Sequence, residues 1–343
     1  MQHEMDWKTE LEEYIRQGEP NRAQKSAAWQ TAIGLQAVDG LTTSEYLLET
    51  AKAHIEGSID MPAAKQRIQS YYQQRENHEA TEAGTMEADI VSTRIAEILG
   101  EQTFQFSSVE LQNIHKRLFT GVFDHAGKFR DYNITKPEWV LNGETVLYAS
   151  YGSIRDTLEY DFAQEKAFSY ENLSAEQAVR HVAQFASGIW QIHPFGEGNT
   201  RATAVFILLY LRTFGFHADN DVFAENSWYF RNALVRANYN DLQKSVHATT
   251  EYLEQFFENL LMGARHELKN RYLHIDFPAS DIPKCQNGTL NGTLNGTLEK
   301  ALPCRKRAFF ATPTANATVA GSCLLSYNKS GRGAHGIPSF CKA

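Results

Sequence analysis

The chain of 343 residues has no cysteine before Cys285; its four cysteines, Cys285, Cys304, Cys323 and Cys341, all lie in the last fifth. A folded body upstream of them needs no disulfide and has no cysteine with which to hold a metal. Long hydrophobic runs are also missing. None approaches the roughly 18 residues of a membrane span, so no membrane partner is expected. Positive charge is not in excess either: the net charge of −8 removes the general reason to expect nucleic acid or an anionic membrane as partner. The opening residues, Met1-Gln2-His3-Glu4-Met5-Asp6, lack the basic-then-apolar order of a secretion signal, and the expected location is cytoplasmic. A chain of this length can bury one large core or two modest ones.

Against these absences stands one dense polar stretch, His193-Pro194-Phe195-Gly196-Glu197-Gly198-Asn199-Thr200-Arg201. Before it, Ala178, Val182, Phe185, Ala186 and Ile189 recur at helical spacing. After it, residues 202 to 214 are almost wholly apolar, enough for a buried helix. Pro194 cannot donate a helical hydrogen bond, and Gly196 and Gly198 free the backbone for a tight turn. The stretch therefore predicts helix, polar loop, helix, with loop N–H groups and a helix N-terminus aimed at an anion. Its side chains suit phosphate chemistry: a base in His193, a hard oxygen ligand in Glu197, an amide in Asn199 and a guanidinium in Arg201. The plain alternative is a solvated connector between two helices.

The whole nonamer resembles the signature of the Fic family, His-Pro-Phe-x-Asp/Glu-Gly-Asn-x-Arg, with every specified type in order. The resemblance extends over roughly residues 90 to 260. It implies an all-α fold, mostly a helical bundle, with one β-hairpin flap. Gly127-Lys128-Phe129-Arg130 resembles the approach to that flap. The β-rich runs Trp139-Val140-Leu141 and Thr145-Val146-Leu147-Tyr148 flank Asn142-Gly143, a hairpin signal in its own right. In the family such a flap clamps nucleotide and target chain, which puts Lys136, Pro137, Glu138 and Trp139 over the nucleotide. The Ala233-Leu234…Ala237-Asn238 portion resembles the helix that lines the nucleobase pocket, and marks Asn232 and Asn238 as adenine-pocket candidates.

Three regions are expected. Residues 1 to 85 form helices: Trp29, Ala32, Ile33 and Gln36 share one helical face, Thr43 or Ser44 caps a second helix, and Asp60 caps a third with Pro62 in its first turn. This unit resembles the small antitoxin that shields some Fic enzymes, hence a toxin–antitoxin context. Gln73 to Glu87 is polar, a linker or a solvated helix. Residues 86 to 281 form the Fic domain, with helices over 90–99 and 109–119 and a last helix over 247–268. From about Ile282 the composition changes. Asn287-Gly288-Thr289-Leu290 repeats twice more, and seven Lys/Arg face one Glu from Cys285 on. Without a sustained amphipathic period, residues 282 to 343 read as a low-complexity tail.

The resemblance implies a protein adenylyltransferase that transfers AMP from ATP to a Ser, Thr or Tyr hydroxyl of a target protein or of itself. Mg²⁺ is the expected cofactor and ATP the co-substrate. His193 would be the catalytic base and Glu197 the metal ligand. Gly196, Gly198, Asn199, Thr200 and Arg201 would bind phosphate. Two departures from the family pattern stand out. A second arginine, three positions after the signature arginine, holds the γ-phosphate in many members; here that position is Ala204. In regulated members the motif Ser/Thr-x-x-x-Glu-Gly/Asn places a glutamate on that second arginine. The aligned segment here runs from Leu35 to Gly40 and offers Asp39. Asp39 is therefore the first inhibitory candidate, expected to face Ala204 and to inhibit weakly, with Glu56 and Glu97 as alternatives. Another nucleotide or diphosphate donor, or a catalytically quiet module that binds nucleotide or partner, remains as an alternative function.

Overall fold

The computed structural model describes residues 8, 11, 13, 20–74, 80–216 and 222–278. The chain divides into two units, Met1–Cys304 and Arg305–Ala343, and every described residue lies in the first. The expected tail at 282–343 lies outside the described residues. So do residues 75–79 of the stretch expected as a linker or solvated helix.

The helices start where the sequence supplies caps. Helix α1 (Pro20–Gly34) runs into a 3₁₀ turn at Leu35–Asp39, which Gly40 closes in the left-handed region at φ 70°. Ser44 caps α2 (Glu45–Ile55) by accepting from the Leu47 N–H, and Asp60 caps α3 (Met61–Gln73) by accepting from Ala63. Helix α4 (Ala80–Gly100) begins within the stretch read as a linker or a solvated helix, and the expected boundary near residue 85 falls inside it. Ser107 caps α5 (Ser108–Phe119). Then come α6 (Ile154–Ala167) and α7 (Ala175–Ile192), the latter opened by a capping box of Ser174 and Gln177. Next are α8 (Asn199–Arg212), α9 (Val222–Ala237, kinked at Asn226) and α10 (Glu251–Met262). The last of these is shorter than the helix expected over 247–268.

Helix α8 is the axis of the core: every residue from Asn199 to Leu211 is buried. A helix buried all round needs apolar neighbours on every side, and α4, α5 and α7 supply them. The N-terminal helices share this core. Trp29, Ile33, Leu35 and Val38 are buried together with α4 and α9 residues. Helix α1 approaches α9 so closely that a Cβ on Gly34 would lie 2.3 Å from Ala224 Cα, and the Ser227 hydroxyl donates to the Gly34 carbonyl at 2.6 Å. Asp89 of α4 accepts from the Ser44 backbone and from the Tyr72 hydroxyl, tying α2 and α3 to the body.

The expected β-hairpin is not formed. The described residues contain no strand, only an isolated antiparallel bridge between Asp241 and Val246. The turn at Asn142-Gly143 does exist, with both residues at positive φ. Before it, Trp139–Leu141 winds into a 3₁₀ turn because Val140 and Leu141, adjacent rather than alternate, are both fully buried. The Val140 carbonyl is also taken, accepting from the Ile275 N–H at 2.9 Å. Glu138 N donates to Glu144 O and Gly143 N to Glu138 O, which close the turn, but no ladder of strand pairing extends from them.

Candidate active site

The nonamer joins α7 to α8 as expected, and its shape is held from four sides. His193 ends α7 in the left-handed region, at φ 50°. Gly198 begins α8 at φ 76°, and a Cβ there would lie 2.4 Å from the Phe119 ring. Asn199 closes the loop on itself: its side-chain oxygen accepts from Phe195 N at 2.9 Å and its amide donates to Phe195 O at 2.8 Å. Trp190 Nε1 donates to the Thr200 hydroxyl at 3.0 Å. From outside, Arg130 donates through its guanidinium to the carbonyls of His193, Ile192, Tyr132 and Ala149. Its backbone N–H adds a bond to Pro194 O at 2.9 Å. Such a lattice fixes a loop that has little regular structure of its own.

His193 is 3 % exposed, its ring tilted against Tyr148 and edge-to-face with Trp190, with ring centres 4.3 and 5.4 Å apart. Neither ring nitrogen has a hydrogen-bond partner. Burial first, and then the Lys136 charge, pushes its pKa well below that of an ordinary histidine. It is neutral at pH 7 and able to accept a proton. The Glu197 side chain is about half exposed, and its carboxylate is ion-paired with Lys136 Nζ at 2.7 Å.

Arg201 is 1 % exposed, with its guanidinium over the Phe119 ring at 4.8 Å. Nη1 donates to Gln36 Oε1 at 3.0 Å and Nη2 to Glu87 Oε1 at 2.6 Å. Nε lies 2.8 Å from Asp39 Oδ2, an ion pair without hydrogen-bond alignment. This corrects the expectation for Asp39. It does not face Ala204, which is fully buried among core residues; its cation is the signature arginine itself. The physical reason is that Asp39 sits at the end of the 3₁₀ turn, which packs against both α8 and α9. Glu56 is exposed at the end of α2, and Glu97 pairs with Lys65 at 2.8 Å. Neither carboxylate meets Arg201.

Asp39, Glu87, Lys136, Glu197, Arg201, Trp228 and Arg231 line one cavity of about 610 Å³. Three cations and three carboxylates thus face a common space, with one indole beside them. Among the described residues no group of three or more His, Cys, Asp or Glu forms a metal cage. Glu197, a single exposed hard ligand, fits Mg²⁺, which keeps several waters and takes its other oxygens from phosphate. Other residues singled out from sequence lie elsewhere or are engaged. Pro137 is exposed. Glu138 is fully buried, paired with Arg231 at 2.7 Å and accepting from Tyr148 at 3.3 Å. Trp139 packs its ring edge on His274. Asn232 donates to Asn270 Oδ1 at 2.7 Å, and Asn238 to the Ser187 and Leu234 carbonyls; neither asparagine lines the cavity. Over Gly196 lie the Tyr132 hydroxyl and His125 Nε2, which a Cβ would meet at 2.9 and 3.2 Å.

Sequence reasoning missed Gln36, Glu87, Trp228 and Arg231. Glu87 falls in the stretch read as a polar linker or solvated helix, and Gln36 carries no role in that reading beyond a helix face and a place in the segment from Leu35 to Gly40. No local pattern marks either, because their partner is more than a hundred residues away.

Residues 105–211 match the model of the Fic/DOC family, so this stretch is a Fic/DOC domain. Protein adenylyltransferase VbhT of Bartonella schoenbuchensis is 25% identical to the chain over 173 residues, 50% of this chain and 34% of that protein. The chain thus spans about a third of that relative's length. No solved structure gives a significant match. Among the described residues no helix is long and apolar enough to cross a membrane.

Proposed function

We propose that the chain is a Fic-type protein adenylyltransferase, moving AMP from ATP to a Ser, Thr or Tyr hydroxyl of a target protein or of itself. The observation that carries this reading is a buried, unpartnered, neutral His193 in a rigid loop whose Glu197 and Arg201 line a cavity. His193 would take the proton of the attacking hydroxyl as its oxygen bonds the α-phosphorus. The bond to pyrophosphate breaks as the new bond forms. Loop N–H groups and the α8 N-terminus would stabilise the charge gathering on the phosphoryl oxygens. Arg201 would hold the pyrophosphate, and Lys136 would close the cavity from the flap side. Glu197 would hold Mg²⁺, which when bound offsets phosphate charge. Leu147, 84% exposed between buried Val146 and Tyr148, gives an extended target segment an apolar contact beside the loop.

Arg201, the arginine proposed here for pyrophosphate, is held by Asp39, Glu87 and Gln36, contacts that would occlude it from a nucleotide. That occupancy, with Ala204 in place of a second arginine, favours as second reading a different donor or a quiet binding module. Incubation of the full chain with α-labelled ATP should label protein, and His193→Ala should abolish the label. Nucleotide binding by calorimetry without label from any of a panel of labelled donors would instead support the quiet module.

A further inference from the structure

His115, on α5, is fully buried and 82 residues from the loop it touches. Gly127 donates its backbone N–H to His115 Nδ1 at 2.9 Å. A ring nitrogen that accepts is unprotonated, so in the neutral imidazole the proton is on Nε2. Nε2–H then donates to the Glu197 carbonyl at 2.9 Å. The same ring stacks on Phe195 at 3.7 Å with an interplanar angle of 13°. One side chain therefore fixes the residues on both sides of Gly196 and ties them to the turn that leads into the flap. Among the described residues the Glu197 side chain has no comparable anchor: it is 53% exposed, and its carboxylate pairs with the Lys136 ammonium at the end of a long side chain. Its direction is set through its backbone.

The geometry points to His115 as the positioning residue that aims the Glu197 carboxylate into the cavity, where it takes the divalent cation of a metal–nucleotide. This rests on the reading of Glu197 as metal ligand. Groups that orient a ligand in this way carry about ten-fold to a hundred-fold in metal affinity. Two substitutions separate the two ring contacts. In His115→Gln the side-chain amide reaches toward Glu197 O, keeping the donor and losing the acceptor for Gly127. In His115→Asn the shorter amide serves Gly127 and loses Glu197.

The test uses the full chain carrying Asp39→Ala and Glu87→Ala, so that Arg201 is free, and ADP binding by calorimetry over a range of Mg²⁺ concentrations. We expect His115→Asn to raise the Mg²⁺ concentration for half-maximal enhancement about ten-fold while leaving ADP binding without Mg²⁺ unchanged. His115→Gln should stay within about two-fold of its parent. Equal Mg²⁺ dependence in all three proteins, equal losses in both variants, or no Mg²⁺ dependence at all overturns the inference. Should either variant fail to fold, nitrogen-15 NMR of the histidine-labelled parent decides: the Nε2–H tautomer is expected at His115, and Nδ1–H overturns it. Label transfer from α-labelled ATP is scored separately. Its absence sinks the transferase reading while the metal-dependent binding still judges His115.

Discussion

Arg201 carries the sharpest residue-scale consequence. Its guanidinium has partners from the first 40 residues and from α4 at once, so no single partner holds it alone. A charge-assisted contact in such a partly buried place contributes about 1.5–3 kcal/mol. Asp39→Ala leaves Glu87 and Gln36 in place, and should raise label transfer by roughly ten-fold or less. Asp39→Ala with Glu87→Ala should raise it by about a hundred-fold. Unchanged activity in the double variant would remove Arg201 occlusion as a control. His193 supplies the second prediction. Its pKa lies well below the ordinary value because burial disfavours the charged ring, so the neutral base persists below pH 6.5. An ordinary imidazole would be about three-quarters protonated at pH 6.0. Label transfer should therefore hold nearly level from pH 7.5 to 6.0; a fall of about four-fold across that range would mean that His193 titrates as a solvent-exposed histidine does.

At the scale of elements, the loop between α7 and α8 depends on one close approach. Gly198→Ala must place a methyl group 2.4 Å from the Phe119 ring while keeping φ at 76°. Left-handed backbone costs a non-glycine residue about 1 kcal/mol, and the clash adds to it. We expect a loss of about 2–4 kcal/mol in denaturant unfolding, with label transfer lost more severely because Asn199 and Arg201 follow directly. A change under about 0.5 kcal/mol would show that Phe119 yields freely. The helices themselves were legible from periodicity and caps: Ser44, Asp60 and Ser107 each cap where a polar residue precedes an apolar rhythm. The flap was not. Trp139-Val140-Leu141 has the residue types of a strand, yet two adjacent side chains turn inward and wind a 3₁₀ turn, since the C-terminal segment at Ile275 occupies the Val140 carbonyl.

For the whole molecule, the N-terminal helices are part of the core as well as the source of the Arg201 partners. Trp29, Ile33, Leu35 and Val38 are all nearly or fully buried. At about 1.5–3 kcal/mol each, these four alone contribute roughly 6–12 kcal/mol, comparable with the roughly 5–15 kcal/mol that holds a typical domain folded. Deleting residues 1 to 80 should therefore abolish a cooperative thermal transition instead of simply releasing an active enzyme. A truncated protein that unfolds cooperatively near the temperature of the full chain would show that these helices serve only Arg201. By itself the sequence determined the helix–loop–helix around His193 and the chemistry its residues allow, because proline, glycine and apolar spacing act over neighbours within a few turns. Only the tertiary structure decided what Arg201 binds, since Glu87 and Gln36 lie 114 and 165 residues from it along the chain. It also decided that Asn232 and Asn238 are held by backbone and side-chain partners away from the cavity. A charged group takes the nearest opposite charge or dipole that packing brings to it, and which one arrives depends on how distant helices fold against each other.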